Sequence, residues 1–129
     1  MLEKDRTLAQ EKQTPQRMLD DALHLHQNGR FSEAGQLYQE ILTINPRHPD
    51  CLHLLGMIAY QEGSFESAAD MIREAIAINS KGTSYYANLG TVLQAQGKLE
   101  EAEILYRQAL ILKPDMAEVH LNLDRKSVV

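Results

Sequence analysis

The fold is decided by residues 49–82, which read PDCLHLLGMIAYQEGSFESAADMIREAIAINSKG, because this pattern occurs three times along the chain. One copy begins 34 residues earlier and another begins 34 residues later. Self-similarity at a fixed period of this length is typical of solenoids built from helix-turn-helix units. The residues that recur at this step include three glycines and three alanines, namely Gly29, Gly63, Gly97, Ala34, Ala68 and Ala102.

Each copy carries the apolar pattern of two amphipathic helices. In residues 52–59 and again in residues 65–76, apolar side chains recur at steps of three and four, and Gly63 separates the two stripes. We therefore predict an all-α fold without strands. The predicted helix pairs are 15–28 with 31–44, 49–62 with 65–78, and 83–96 with 99–112, followed by a single helix that begins at residue 117.

The glycines of the pattern have two predicted roles. Gly63 and its equivalents end a helix, where glycine takes the left-handed backbone conformation without a Cβ penalty. Gly56 and Gly90 lie inside helices, where glycine costs about 1 kcal/mol relative to alanine. We expect them to face Ala68 and Ala102 across the turn, so that two helix backbones approach closely. The alternative is that these helix glycines are tolerated without a packing role.

The repeats also divide the chain into segments. A polar extension comes first and ends at Thr14 and Pro15, a favourable N-cap followed by a favourable first helical residue. Ser64 is predicted to cap the helix that follows it. The predicted segments are the extension at 1–14, three repeats at 15–48, 49–82 and 83–116, the start of a truncated fourth repeat at 117–123, and a tail at 124–129.

The tail departs from the repeat pattern. After Leu123 the pattern requires glycine, but residues 124–129 read DRKSVV. This hexapeptide matches the translation of a common short-read library end, gat cgg aag agc gtc gtg tag. We therefore expect the tail to be non-native and the natural protein to continue with further repeats. A genuine tail is the alternative.

Composition limits the classes of partner. The net charge of −5 argues against nonspecific nucleic-acid binding, which needs a cationic surface to displace counterions. No apolar run approaches a membrane span, and residues 1–6 lack the apolar region of a secretion signal. The sequence therefore predicts a cytoplasmic protein that binds neither nucleic acid nor membrane. The single cysteine, Cys51, excludes an internal disulfide framework.

No pattern of catalytic or metal-binding residues emerges. His24 and His26 are two residues apart, so they lie on different sides of a helix and cannot share a metal as an i, i+4 pair would. His53 and Cys51 are also two residues apart, so they do not form an i, i+4 pair of metal ligands either. The chain has no serine, histidine and acid in a catalytic motif and no glycine-rich phosphate loop. We predict no enzyme activity, metal or cofactor for this chain, although a longer parent protein can still be an enzyme.

The repeated residues resemble the tetratricopeptide repeat (TPR), whose signature combines small residues with apolar ones at fixed positions. The second copy matches it with Gly56, Gly63, Phe65 and Ala68, and the resemblance covers residues 15–123. It implies a right-handed α-solenoid that serves as a protein-interaction scaffold. In this family the first helix of each repeat lines a concave groove that binds peptides.

Transferred to this chain, the family's groove positions give a candidate site for an extended or helical peptide of a partner protein. Leu23, Met57 and Tyr60 are the expected apolar anchors, and Asn88 and Asn122 are the expected hydrogen-bond partners of the peptide backbone. The candidate groove residues are Leu19, Leu23, His26, His53, Leu54, Met57, Tyr60, Asn88, Thr91 and Asn122, and the family's groove positions also include Asp20, Asp50, Ser84 and Glu118.

Two TPR subfamilies can be compared at these positions. Repeats that hold the carboxylate end of heat-shock chaperones use lysines, an arginine and asparagines at fixed sites. The corresponding residues here are Leu19, Leu23, Leu54, Ser84 and Asn88. The clamp is therefore absent apart from one asparagine.

The asparagines instead resemble those of O-GlcNAc transferase repeats, where groove asparagines form a ladder along successive repeats. Asn88 and Asn122 fit such a ladder, whereas Leu54 and Asp20 interrupt it in the earlier copies. Two hypotheses follow. The chain is a protein-interaction scaffold, or it is the recognition arm of a larger bacterial glycosyltransferase. Sequence beyond residue 123 would separate them. Weak self-association through the solenoid ends is a third possibility.

Overall fold

The computed structural model describes the backbone of residues 14–128 and the side chains as far as Asp124. This part of the chain contains seven α-helices and no strand, which confirms the predicted all-α class. The first thirteen residues of the predicted extension and the last residue of the tail lie outside it. The helices are α1 Pro15–Gln27, α2 Phe31–Ile44, α3 Pro49–Gln61, α4 Phe65–Ile78, α5 Thr83–Ala95, α6 Leu99–Leu112 and α7 Ala117–Val128.

The helices form a right-handed α-solenoid in which each one packs mainly against its neighbours in sequence. The most extensive contacts lie within the pairs α1–α2, α3–α4 and α5–α6, and the pairs are joined through α2–α3 and α4–α5. Helix α3 also contacts α5 directly. The first helices of the second and third repeats therefore lie side by side, which is the arrangement that a groove across them requires.

The turn inside each repeat is closed by glycine. Gly63 has φ of 85°, and its N–H donates to the Tyr60 carbonyl at 3.0 Å, while the Ser64 N–H donates to the Ala59 carbonyl at 2.8 Å. These two bonds form a Schellman motif, which satisfies carbonyls at the helix end that would otherwise be unpaired. Gly29 and Gly97 have the same backbone conformation, as the sequence predicts.

The helix caps differ in part from the prediction. Thr14 accepts a hydrogen bond from the Arg17 N–H at 3.3 Å, as expected. Ser64 stands at the N-cap of α4 but makes no side-chain cap bond, so that prediction was wrong. His48 performs this role for α3, because its Nδ1 accepts from the Cys51 N–H at 3.3 Å.

Close packing between the two helices of a repeat explains the helix glycines. A Cβ on Gly56 would lie 3.0 Å from Ile72 Cγ1 and 3.1 Å from the Ala68 carbonyl oxygen, so the predicted approach to Ala68 is present. A Cβ on Gly90 would lie 2.6 Å from Cε1 of Tyr106. The space above Gly90 is therefore filled by the Tyr106 ring, which lies nearer to this position than any atom of Ala102. The expected approach of Gly90 to Ala102 stays a prediction.

Helix α7 follows the third repeat and packs against α6. It begins at Ala117 as predicted and continues through Val128, five residues beyond the proposed junction with the non-native tail. Val119 is fully buried and belongs to the core that runs through the second and third repeats. The segment that we expect to begin a fourth repeat is thus helical, and the buried Val119 side chain anchors it.

Candidate functional site

The candidate groove residues lie on the first helices of successive repeats, and most of them are only partly buried. Leu19 and His53 are buried, at 7 % exposure each. Partial exposure suits side chains that line a surface groove, whereas the two buried residues belong to its floor. The remaining candidates are all half-buried, namely Leu23, His26, Leu54, Met57, Tyr60, Asn88, Thr91 and Asn122.

A cavity of about 380 Å³ lies where α1, α3 and α5 meet, and it brings four of these candidates together. We call it the Asp50 pocket. Its apolar wall is formed by Leu19, Leu23 and Leu54, and its polar side by Asp50, His53, Ser84 and Tyr85 among others. The other candidates, His26, Met57, Tyr60, Asn88, Thr91 and Asn122, do not line this cavity.

Asp50 is fixed in place by Tyr85. The Tyr85 hydroxyl donates to Oδ1 of Asp50, and the tyrosine ring lies 4.9 Å from the His53 ring. Burial and the hydrogen bond to the carboxylate raise the pKa of Tyr85, so it stays a neutral donor. Tyr85 is not among the predicted groove residues, because it occupies the third position of its repeat, one step beyond the family's groove position.

His53 and Asn88 form a second link between α3 and α5. The Asn88 amide nitrogen lies 2.7 Å from His53 Nε2. Burial lowers the pKa of His53 to about 4, although the Asp50 charge acts in the opposite direction. The imidazole is therefore neutral at pH 7 and accepts from the amide at Nε2. One N–H of Asn88 is used in this bond, which leaves its second N–H and its carbonyl oxygen.

His26 is engaged within its own repeat. Its Nδ1 lies 2.9 Å from the Tyr38 hydroxyl, and its ring meets Phe31 edge to face at 5.4 Å. The third repeat has a similar bond in the same register, because the Tyr106 hydroxyl donates to Gln94 Oε1 at 3.0 Å. Both polar pairs hold the two helices of a repeat together.

The second repeat replaces this polar pair with an apolar one. Tyr60 stands in the register of His26, and Ile72 stands in the register of Tyr38. The Tyr60 ring packs on Phe65 at 5.6 Å. The half-buried Tyr60 ring therefore supplies partly exposed aromatic surface beside Met57.

On α7, the backbone of Asn122 makes a hydrogen bond. Its carbonyl accepts from Gln94 Nε2 at 3.4 Å, which ties α7 to α5. Thr91, also a candidate, has its hydroxyl 3.2 Å from the Tyr106 hydroxyl. Together with the bond between His53 and Asn88, these contacts form a row of polar groups from Asn88, Thr91 and Gln94 on α5 to Asn122 on α7, which we call the polar strip.

A larger cavity, of about 440 Å³, lies outside the candidate groove between α4, α5 and α6. Its lining includes Ile76, Tyr86, Leu89 and Ile104, and Ile104 is 59 % exposed. No predicted groove residue lines it. We call it the outer cavity, and it is the alternative to the groove as a binding surface.

Two observations concern metal binding and the cysteine thiol. Among residues 14–124, no group of three or more His, Cys, Asp or Glu side chains could hold a metal ion. Burial, with a further contribution from the Asp50 charge, raises the pKa of the Cys51 thiol to about 12, so the thiolate nucleophile is not formed at neutral pH. None of the described helices has the length and apolar character that a membrane crossing demands.

Sequence comparison identifies the family. Tetratricopeptide repeat profiles match residues 25–93 and residues 83–113. The chain therefore belongs to the tetratricopeptide repeat family, as the spacing of its glycines and alanines predicts. A sequence search among curated proteins finds no match.

Solved structures similar to the chain are TPR solenoids. The first TPR of Spaghetti (RPAP3), bound to the HSP90 peptide SRMEEVD, has a TM-score of 0.83 at 24% identity over 90% of this chain and 92% of that one. The Arabidopsis OM64 TPR domain has a TM-score of 0.83 at 18% identity, with coverage of 88% and 93%. These two likenesses concern the fold.

An O-GlcNAc transferase from Thermobaculum terrenum is similar in its repeat region. Its TM-score is 0.85 at 30% identity over 87% of this chain. The chain spans only 22% of that protein's length. The similarity therefore includes the repeats and leaves most of the transferase unmatched.

Proposed function

We propose that the chain is a protein-interaction module whose groove binds an extended or helical peptide of a partner protein. The observation that carries this proposal is the Asp50 pocket, where Leu19, Leu23 and Leu54 from two different repeats form one apolar wall beside polar side chains. An apolar cavity with a few fixed polar groups is the usual form of a ligand site.

The binding energy is expected to come from apolar anchors. Leu23, Met57 and Tyr60 are half-buried in the free protein, so a bound peptide can remove further apolar area from water. Buried aromatic and aliphatic contacts dominate interface energies, whereas exposed ion pairs contribute little. Because three repeats offer an interface below about 1,000 Å², we expect micromolar affinity at best.

The polar strip is expected to hold the peptide backbone. Asn88 uses one N–H for His53 and keeps a donor and an acceptor, which is the pair that an extended peptide can engage. Asn122 uses its backbone carbonyl for Gln94, and its side-chain amide is half-buried on α7. Backbone contacts of this kind bind with little sequence preference.

An acidic chaperone tail does not fit this groove. The Spaghetti (RPAP3) domain is bound to an HSP90 peptide that ends in acidic residues, but this chain has Leu19, Leu23, Leu54 and Ser84 where clamp repeats place most of their polar and cationic residues. A carboxylate brought against leucines loses its hydration without gaining a partner.

The test is a peptide-library selection against the wild type and against a Met57→Ala, Tyr60→Ala, Asn88→Ala triple variant. We expect the selected peptides to lose about tenfold or more in affinity on the triple variant, since each 1.4 kcal/mol is a factor of ten. The matched control is Arg73→Ala with Arg107→Ala, which changes exposed ion pairs on α4 and α6. Peptides that respond only to the control variant would end this proposal.

A second candidate function is the recognition arm of a larger bacterial glycosyltransferase. It is favoured by the 30% identity with the Thermobaculum terrenum O-GlcNAc transferase repeats. The uninterrupted reading frame beyond Leu123 tests it, and tests the proposed non-native tail at 124–129 as well. A sugar-nucleotide-binding domain there would support the hypothesis of a glycosyltransferase arm, whereas further repeats alone would support the hypothesis of an interaction scaffold.

Two further proposals concern the location of the protein and its assembly. We place the protein in the cytoplasm, away from nucleic acid and membrane, which cell fractionation would contradict if the protein co-sedimented with membranes. Weak self-association is supported by exposed apolar side chains, including Ile111 at 79 % on α6 and Leu121 at 52 % on α7. Equilibrium sedimentation tests it, because a strictly monomeric chain at high concentration would refute it.

A further inference from the structure

The Asp50 pocket combines an apolar wall with one carboxylate. Leu23 and Leu54 stand on α1 and α3, and Asp50 stands at the first turn of α3. At about 380 Å³, the cavity is near the small end of the range of about 300–1,000 Å³ for ligand pockets. It therefore suits a single long side chain of a bound peptide better than a folded segment.

Within residues 14–124, no cation forms an ion pair with the carboxylate of the pocket. Asp50 is exposed and accepts from the Tyr85 hydroxyl, and none of the ion pairs found among the described residues involves it. His53 is buried and accepts an amide hydrogen from Asn88 at Nε2, so it adds no positive charge. The pocket thus presents a fixed, negatively charged acceptor beside leucine side chains.

The charged residues elsewhere in the groove have the same sign, and the other positions are neutral. At the first-helix positions that the family uses for its groove, Asp20, Asp50 and Glu118 are acidic and none is lysine or arginine. Asp20 and Glu118 are exposed. Complementary potentials steer partners and exclude wrong ones, so the surface favours a cationic peptide.

We propose that the Asp50 pocket binds an arginine or lysine side chain of the partner peptide, with its methylene stem on Leu23 and Leu54 and its charged head at the Asp50 carboxylate. Long cationic side chains commonly lie on apolar surface in this way while the charge stays in a polar environment. The hydrogen bond from Tyr85 holds the carboxylate in place before the peptide arrives. This inference rests on the proposed peptide-binding function and specifies its partner.

The test uses an array of acetylated, amidated heptapeptides that differ only in the central residue. The central residue is arginine, lysine, citrulline, norleucine or glutamate, and the flanking positions are mixtures of alanine, leucine, serine and glutamine. Citrulline keeps the shape of arginine without its charge, and norleucine keeps only the aliphatic stem. Binding of the labelled full chain to each peptide set is measured at low salt, where exposed charges are least screened.

For the wild type we expect the arginine and lysine peptides to bind with about two- to fivefold higher affinity than the citrulline and norleucine peptides. This is the range for a largely exposed ion pair. The glutamate peptides should bind most weakly. Asp50→Asn keeps an acceptor for Tyr85 and removes the charge, so it should reduce the cation preference to parity. Asp115→Asn is the matched control in the link before α7 and should retain the preference. Tyr85→Phe should also retain it, because the carboxylate charge remains.

The outcomes separate this inference from the function beneath it. Equal binding of all five peptide sets, lost in the Met57→Ala, Tyr60→Ala, Asn88→Ala variant, would overturn the cation subsite and leave the groove proposal standing. A cation preference that persists in folded Asp50→Asn would place the subsite elsewhere and also overturn it. Binding of no set at all would overturn both proposals. A dimer that dissociates in Asp50→Asn would assign the pocket to a second copy and refute the peptide subsite.

Discussion

The second and third repeats carry the same glycine twelve residues before the same alanine, yet the two glycines meet different side chains. Gly56 packs against Ile72 and the Ala68 backbone, whereas Gly90 packs against the ring of Tyr106. Gln94 accepts from the Tyr106 hydroxyl, and nothing equivalent links Tyr60 to Ile72. One repeat pattern therefore supports two kinds of helix interface, one apolar and one built around a hydrogen-bonded ring.

The largest expected effect comes from adding a leucine side chain at either interface. Gly90→Leu, Gly56→Leu and Ala68→Leu should each lower the free energy of unfolding by about 3 kcal/mol or more, the upper end for overpacking a well-filled core. Ala68 and Tyr106 are fully buried, so the neighbours have no open space to move into. Urea unfolding measures the change, and a wild-type midpoint in any of the three would contradict the close packing.

Alanine at the same sites sharpens the comparison. A Cβ would lie 2.6 Å from the Tyr106 ring at position 90 and 3.0 Å from Ile72 at position 56, so we expect Gly90→Ala to be the more destabilising. Gly35→Ala is the control, because its Cβ would meet Ile58 at an ordinary 3.7 Å. That change should stabilise the protein by up to about 1 kcal/mol through helix propensity.

The junction between the two repeats should be sensitive to pH. His53 has a pKa of about 4 in the folded protein, below its ordinary value of 6.5, because burial disfavours the charged imidazolium. The unfolded chain therefore binds more protons between these pH values, so the stabilisation is complete above pH 6.5 and is lost as the pH falls through 4. We expect a loss of about 3 kcal/mol from this group between pH 7 and pH 4.

His53→Gln isolates that contribution. The variant should show a shallower loss of stability between pH 7 and pH 4 than the wild type, whereas His24→Gln, on the exposed side of α1, should follow the wild type. Urea midpoints at several pH values provide the measurement. Parallel curves for the wild type and His53→Gln would show that the imidazole is not held neutral between α3 and α5.

The smallest expected effect is that of the Tyr106 hydroxyl. Tyr106→Phe removes the bonds to Gln94 and Thr91 while keeping the ring, so it should cost about 0.5–1.5 kcal/mol. Tyr86→Phe removes an exposed bond to the Ser80 carbonyl and should cost less. Thermal unfolding measures both changes. A larger loss of stability in Tyr86→Phe than in Tyr106→Phe would contradict the hydrogen-bonded interface of the third repeat.

The fold could be predicted from sequence because local patterns determine it. Apolar residues at helical spacing and glycines such as Gly63, which needs a positive φ, set the ends of the first six helices to within a residue. The prediction that Ser64 caps α4 was wrong because its backbone, at φ −88° and ψ 69°, lies outside the usual N-cap region. Its N–H closes the Schellman turn of the preceding helix. A preferred residue type does not guarantee the geometry that uses it.

The site could be predicted only in part, because its geometry depends on contacts between repeats. The family pattern located Leu19, Leu23, His53 and Leu54, which the structure brings to one cavity. It did not indicate the bond between Asp50 and Tyr85, which are 35 residues apart. That contact depends on how far one repeat is turned relative to the next. Periodicity along the chain carries no information on this rotation.

The central claim is that peptides bind across the first helices of the repeats, and NMR chemical-shift mapping with a library-selected peptide tests it most directly. Isotope-labelled protein should show its largest amide shifts on α1, α3 and α5, around Leu23, Met57 and Asn88. Shifts concentrated instead around Ile76 and Ile104, at the outer cavity between α4, α5 and α6, would contradict the account.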